Sequence, residues 1–222
     1  QLLFITNQIQ SGFENKLNSL MIFLDIKSAF DRVWHEGLLY KLKCLGVKGR
    51  LHAWLTNYLE GRQQKVVIKG VSSQYRFITA GVPQGSILGP LLFKIFSNDF
   101  GSNISYDSFL FADDASVLKQ FLPEQIVETV LLINQDLEKI LTWANSWRIQ
   151  FNTDKSVLMH FSPSGLNPTN LSIKFGPNFL APVSQHLHLG ILLSSNLKWT
   201  SHIDRLFSEC SKLLGLLRRH AN

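Results

Sequence analysis

The apolar positions fall into runs of two periods that follow one another without a regular repeat. In residues 1–18, Leu2, Leu3, Ile5 and Ile9 sit at helical spacing, whereas Ser19 to Leu24 is almost continuously apolar and predicts a short buried strand ending at Asp25. Two amphipathic helices in series are predicted next. His35 to Leu45 carries Leu38, Leu39, Leu42 and Leu45 and stops at Gly46; Arg50 to Leu59 carries Leu51, Trp54, Leu55 and Tyr58 and stops at Gly61. Gln64 to Lys69 and Gln74 to Ala80 alternate, which predicts a β-hairpin turning at Gly70-Val71-Ser72-Ser73. Gly81 to Gly89 reads as a loop entering a helix from Leu91.

Phe109–Ala112 and Ala115–Leu118 are predicted as short strands with Asp113 and Asp114 at the turn between them. Pro123 opens a long helix whose stripe is Ile126, Val130, Ile133, Leu137, Ile140, Leu141 and Ala144. Further strands are expected at Ser156–Phe161, Leu171–Phe175 and His188–Leu193, and a last helix from about His202 to Arg219. No period of 20–50 residues recurs, so a solenoid is not expected. The irregular mixture predicts an α+β fold, a sheet packed on helices.

Composition adds little until charge is considered. With 45% hydrophobic and 17% charged residues in 222, the chain can bury a core, and disorder is excluded. The longest apolar stretch, Ile87 to Phe96, is broken by Gly89, Pro90 and Lys94, short of the roughly 18 residues of a membrane span, so no membrane partner is expected. No secretory signal is visible. Asn103-Ile104-Ser105 and Asn170-Leu171-Ser172 match the glycosylation pattern, but nothing else points to secretion. Cys44 and Cys210, each without a neighbouring thiol, fit a reducing compartment better than a disulfide framework. A chain that opens on Gln1 and is helical at once reads as a piece of something longer. The net charge of +6 is uneven: residues 16–76 hold 11 basic and 4 acidic residues, which suggests a polyanionic partner, nucleic acid first.

Three carboxylates stand out. Asp25 follows Met21-Ile22-Phe23-Leu24, and a charge at the end of a buried strand needs a cation or a helix to cap. Asp113-Asp114 alone is ordinary turn chemistry. Taken together, three like charges among apolar strands repel unless divalent cations sit among them, and hard oxygen ligands suit Mg²⁺ completed by substrate phosphates. Two such ions about 4 Å apart would serve an in-line phosphoryl displacement.

Phe23-Leu24-Asp25-Ile26-Lys27-Ser28-Ala29-Phe30-Asp31, Gly81-Val82-Pro83-Gln84-Gly85-Ser86 and Phe111-Ala112-Asp113-Asp114, in that order, resemble motifs A, B and C of reverse transcriptases, in particular those of non-LTR retrotransposons of the jockey type. Trp147 through Asn152 to Lys155 resembles motif D, and His188-Leu189-Gly190-Ile191 the start of the motif E primer grip. The resemblance implies a right-hand polymerase. Residues 1–195 would be the reverse transcriptase domain, with partial fingers at 1–20 and 35–80 and the palm at 21–34 and 81–195. Residues 196–222 would begin the thumb. It implies RNA-directed DNA polymerisation with two Mg²⁺ ions, Mn²⁺ substituting, held by Asp25, Asp113 and Asp114, with the Ile26 carbonyl contributing. Phe30 would be the steric gate against a ribose 2′-hydroxyl, Gln84 and Gly85 would lie along the incoming nucleotide and template, and Lys155 would protonate the pyrophosphate. Leu189 and Gly190 would hold the primer. The implied partners are an RNA template, a DNA primer and dNTPs, with an endonuclease region upstream. The implied location is the nucleus at the site of integration and a cytoplasmic ribonucleoprotein.

Plainer readings stand beside these. Phe30 could be a core aromatic, Lys155 a solvated side chain and Gly81–Gly89 a plain loop, which lacks the Gly-Lys-Ser/Thr of a phosphate-binding Walker loop. His186 and His188 could share a strand face, but no Cys or carboxylate cluster joins them for zinc. A truncated, inactive remnant that only binds RNA is one alternative, since only Lys16 precedes Asp25 as a cation for the triphosphate. A viral-type RNA-dependent RNA polymerase is the other, with Asp31 reading the 2′-hydroxyl; Phe30 and Phe111-Ala112 argue against it.

Overall fold

The computed structural model describes residues 1–165 and 171–220. In chain order the elements are α1 (Leu2–Glu14), β1 (Asn18–Ile26), α2 (His35–Cys44), α3 (Gly49–Leu59), β2 (Gln63–Gln64), β3 (Val67–Ile68), β4 (Val71–Ser72), β5 (Arg76–Phe77) and α4 (Leu88–Phe96). They continue with β6 (Asp107–Phe111), β7 (Asp114–Phe121), α5 (Ile126–Ser146), β8 (Phe151–Phe161), β9 (Lys174–Phe175), β10 (Asn178–Phe179), β11 (Gln185–His188), β12 (Ile191–Ser194) and α6 (Thr200–His220). The main sheet has the order β6-β7-β1-β8, and four short antiparallel hairpin ladders accompany it. Helices and antiparallel hairpins in this mixture are the expected α+β class. Asn170, half of one glycosylation match, lies outside the described residues.

The chain divides into two compact units, and the divisions fall inside β1, β7, α5 and β8. The first unit comprises 1–24, 116–135 and 153–222. Its core contains Ile5 and Ile9 of α1, Leu20 to Leu24 of β1, Phe121, Ile133, Leu158, Met159, Phe161, Ile173 and Phe175, all buried. β1 is apolar without alternation because it is flanked by a strand on each side and buried on both faces. In α6 no described side chain is buried, and Ile203, Phe207, Leu213 and Leu217 are all exposed.

The second unit comprises 25–115 and 136–152. Here α2 packs against α3 and α4 through Leu38, Leu42, Leu55, Leu59, Leu92, Phe93 and Phe96. Each fully buried leucine of this kind contributes roughly 2 kcal/mol.

Four sequence expectations are corrected. The 63–77 hairpin turns on Lys69-Gly70, which carry φ +49° and +83°, so Val71 and Ser72 pair with Ile68 and Val67 instead of forming the turn. Two positive φ values make the turn whose twist suits a two-residue hairpin, and only one glycine is needed to seed it. The same geometry at Leu189-Gly190, φ +48° and +81°, splits the single strand expected at His188–Leu193 into β11 and β12. α4 starts at Leu88, not Leu91, because Pro90 falls in the first turn, where the missing N–H costs no helical bond. Leu171–Phe175 is strand only at Lys174–Phe175, which pairs with Asn178–Phe179 across Gly176-Pro177. Other boundaries moved by a few residues: α1 ends at Glu14, and Pro123 opens a short 3₁₀ turn, Pro123–Gln125, ahead of α5.

Candidate active site

β1 is buried at every position except Asp25, which is half-buried. Asp25 does not cap the helical turn that follows: that 3₁₀ turn, Phe30–Arg32, is preceded by Ala29. After the strand the backbone is held by Lys27 N donating to Gln150 O at 2.8 Å, and Ser28 turns with φ +49°. Asp113 occupies the two-residue turn between β6 and β7, and Asp114 is the first residue of β7. Ala112 takes φ +54°, a left-handed conformation that costs a residue with a Cβ about 1 kcal/mol. Burial raises the Asp114 carboxyl above the ordinary carboxylate range, and the charges of Asp113 and then Asp25 raise it further. Asp114 therefore feels the charge of both other aspartates.

Among the described residues, no group of three or more His, Cys, Asp or Glu side chains is drawn together closely enough to hold a metal ion. The donor set is nevertheless all hard oxygen with excess negative charge. That combination fits a hard divalent ion which keeps waters and takes part of its shell from phosphates, and not a closed structural site.

The Gly81–Gly85 segment is laid against the Phe30–Val33 turn. Gly81 N donates to Val33 O and Val82 N to Phe30 O, both at 2.8 Å. Gly81 has φ +96°, and a Cβ there would lie 2.8 Å from the Asp31 carbonyl oxygen, so only glycine fits. Buried His35 joins the Gly81 carbonyl at 2.7 Å through Nε2, which therefore carries the proton. Ser86 Oγ donates to Pro83 O and accepts from Gly89 N, tying the segment to α4. These bonds make 81–89 an ordered frame, not a plain loop.

A cavity of about 390 Å³ opens between these segments. Ser28, Ala29 and Phe30 line one side, Pro83, Gln84, Gly85 and Pro90 the other, and Asp113 also borders it. Phe30 stacks on Phe93 at 4.9 Å between ring centroids while lining the cavity, so it is both a packing residue and a wall. A second cavity, about 580 Å³, is lined by Asp31, Arg62, Gln63, Gln64, Ile78 and residues 80–84. Gln84 borders both, and its Nε2 donates to Asp31 Oδ1 at 2.9 Å.

Asp25, Ile26, Phe30, Gln84, Gly85, Asp113 and Asp114 thus belong to one compact unit. Lys155, Leu189 and Gly190 belong to the other: Lys155 is exposed on β8, and Leu189-Gly190 is the turn between β11 and β12. His186 and His188 do share a face of β11, where both rings lie against Phe23, at 4.2 and 4.9 Å. Burial lowers both, and His188 falls to about 4, so the pair is a neutral packing element.

Two features escaped the sequence. One is the Asp31–Gln84 bond. The other is Lys41, counted above with the basic face, which is in fact buried. Its Nζ lies 3.7 Å from the Trp147 ring centroid and donates to Phe96 O and to Asp99 Oδ1. The only trace was the position of Lys41 on the apolar side of α2, beside Leu38 and Leu42.

Comparison with known proteins identifies the family. Residues 2–204 match the family model described as reverse transcriptase (RNA-dependent DNA polymerase). The chain is 33% identical over 214 residues to the RNA-directed DNA polymerase from mobile element jockey of Drosophila funebris, covering 93% of this chain and 23% of that protein. It is 30% identical over 222 residues to the probable RNA-directed DNA polymerase from transposon BS of Drosophila melanogaster, covering 96% and 24%. The chain spans about a quarter of the length of these curated relatives. Among solved structures, apo telomerase from Candida tropicalis, truncated from its C-terminal domain, superposes with a TM-score of 0.58 at 13% identity over 89% of this chain and 39% of that one, which speaks to the fold. With a family match across most of its length and retrotransposon relatives at about 30% identity, the chain belongs to the reverse transcriptase (RNA-dependent DNA polymerase) family.

Proposed function

We propose that this chain is the catalytic core of a non-LTR retrotransposon reverse transcriptase, joining dNTPs to a DNA primer on an RNA template. The observation that carries this reading is that Asp113 lines a cavity with Phe30 and Gln84 while its charge and that of Asp25 both act on Asp114. Asp25, Asp113 and Asp114, with the Ile26 carbonyl, would hold two Mg²⁺ ions, or Mn²⁺ in their place. When bound, such ions lower the pKa of the primer 3′-hydroxyl and neutralise charge on the leaving pyrophosphate.

The chain's own residues supply selection and positioning. Phe30 would stand where a ribose 2′-hydroxyl would enter, favouring deoxynucleotides. Gly85, without a side chain, and Gln84 would let the nucleotide and template lie close to the backbone of the loop. Lys155 would give a proton to the departing pyrophosphate, and the Leu189-Gly190 turn would support the primer. The basic residues of 16–76 other than Lys41 would bind template and primer through phosphates, with salt-sensitive and sequence-independent affinity. The fingers, palm and thumb boundaries and a nuclear and ribonucleoprotein location belong to the same proposal. Against the RNA-polymerase alternative, Asp31 is engaged by Gln84 and does not line the cavity of Phe30 and Asp113. No helix among the described residues is long and apolar enough to cross a membrane.

The test is extension of oligo(dT) on poly(A) with dTTP and Mg²⁺ by the full-length protein. Template-dependent incorporation is expected. Binding of the RNA without any incorporation would contradict this reading in favour of an inactive remnant.

A further inference from the structure

We propose that Asp31 is a positioning residue for the incoming nucleotide, acting through Gln84; the proposal rests on the polymerase reading above. Gln84, with Pro83, lines both cavities, whereas Asp31 lines only the larger one and not the cavity of Phe30 and Asp113. The Asp31 side chain reaches the lining of the smaller cavity through its bond to Gln84.

The chemistry of the pair fixes the amide. An ionised carboxylate accepts and never donates, so only the nitrogen end of Gln84 can face Asp31. The observed bond has that polarity, Nε2 to Oδ1 at 2.9 Å. Because the amide is planar, anchoring its nitrogen also fixes Oε1 and the second N–H, which remain for a ligand in the cavity that Gln84 borders. An exposed glutamine without such an anchor would sample both amide orientations and several rotamers.

The backbone beneath is independently held. The Gly81–Val33 and Val82–Phe30 bonds and the Gly81 approach to the Asp31 backbone involve no Asp31 side-chain atom. Removing the carboxylate thus frees the Gln84 side chain while leaving the frame in place. Both side chains are exposed, so folding stability depends little on them. An Asp at this position contributes orientation, not stability.

The test is a double-mutant cycle in the full-length protein, read as dNTP KM and kcat in primer extension and as thermal stability. Asp31→Ala is expected to raise KM for dNTP by about three- to tenfold with kcat within about twofold and Tm unchanged. Asp31→Asn should fall between, because its amide can accept from Gln84 but can also flip and donate. Gln84→Ala should resemble Asp31→Ala, and the double variant should be no worse than Gln84→Ala alone. Additive losses, a loss confined to kcat, or a KM change that tracks a fall in Tm would overturn the role of Asp31 while leaving the polymerase reading intact. Absence of extension by the unsubstituted protein would remove that reading, and this role with it.

Discussion

Lys41 and Asp99 form an ion pair of 2.6 Å, with the lysine only 6% exposed. Burial lowers the Lys41 pKa, and Asp99 opposes that fall by pairing with the charged form. Asp99 Oδ1 also accepts from Trp143 Nε1 at 2.8 Å, so one carboxylate joins α2 to α5. Replacing Lys41 by Met would leave Asp99 without its cation but partly open to water. We expect a loss of about 2–3 kcal/mol in denaturant unfolding, at or below the low end for a broken buried pair. A loss below about 0.5 kcal/mol would mean that the pair is no more than a surface contact.

Repulsion at the aspartate cluster predicts opposite effects on stability and function. Asp114 is raised first by burial and then by Asp113 and Asp25, so the folded state holds its proton more tightly than the unfolded chain. In chelator, stability should therefore fall as pH rises through the window above the ordinary Asp value. Asp114→Asn should raise Tm at pH 7 without metal. Added Mg²⁺ should raise the Tm of the unsubstituted protein more than that of the variant. Equal Mg²⁺ shifts in both, measured by differential scanning fluorimetry, would contradict a role for this carboxylate in holding metal.

His188 predicts a second pH dependence, of the other sign. Its pKa is about 4 in the folded protein against about 6.5 in an unfolded chain, so acid favours unfolding. The stabilisation is complete above about pH 6.5 and is lost as pH falls towards 4, by about 3 kcal/mol at most. His188→Phe keeps a ring against Phe23 and should flatten the profile over that window. An unchanged profile in the variant would show that other groups set the acid sensitivity.

Phe30 predicts nucleotide choice. Shortening it to Val opens the cavity beside Asp113, and ribonucleotide incorporation relative to deoxynucleotide should rise by about 10- to 100-fold, the usual range for steric discrimination. No gain, with dNTP use retained, would assign Phe30 to packing on Phe93 alone.

Elements with long periodic patterns were legible: α2, α3 and α5 lie within a few residues of expectation because their buried stripes repeat every three or four positions. Turns were less legible. Lys69-Gly70 and Leu189-Gly190 form tight hairpins with a non-glycine residue at positive φ, and the sequence marks only the glycine. The same holds at Ala112, where nothing in Phe-Ala-Asp-Asp announces a left-handed alanine. The electrostatic link of Asp113 and Asp25 to Asp114 could be anticipated because three carboxylates at the ends of apolar strands stand out in the sequence. Asp31–Gln84 could not, since the partners are 53 positions apart and both are ordinary exposed polar residues. Lys41 misled in the opposite direction, because net charge counts a buried cation as though it faced solvent.

Joint action of Asp25 and Asp113 in nucleotidyl transfer is tested most directly by primer extension on an RNA template with Asp25→Asn and Asp113→Asn compared side by side. Each is predicted to lower incorporation by about 10²-fold or more, several kcal/mol of lost transition-state stabilisation, while RNA binding is retained. Incorporation at the unsubstituted rate by either variant would contradict the account.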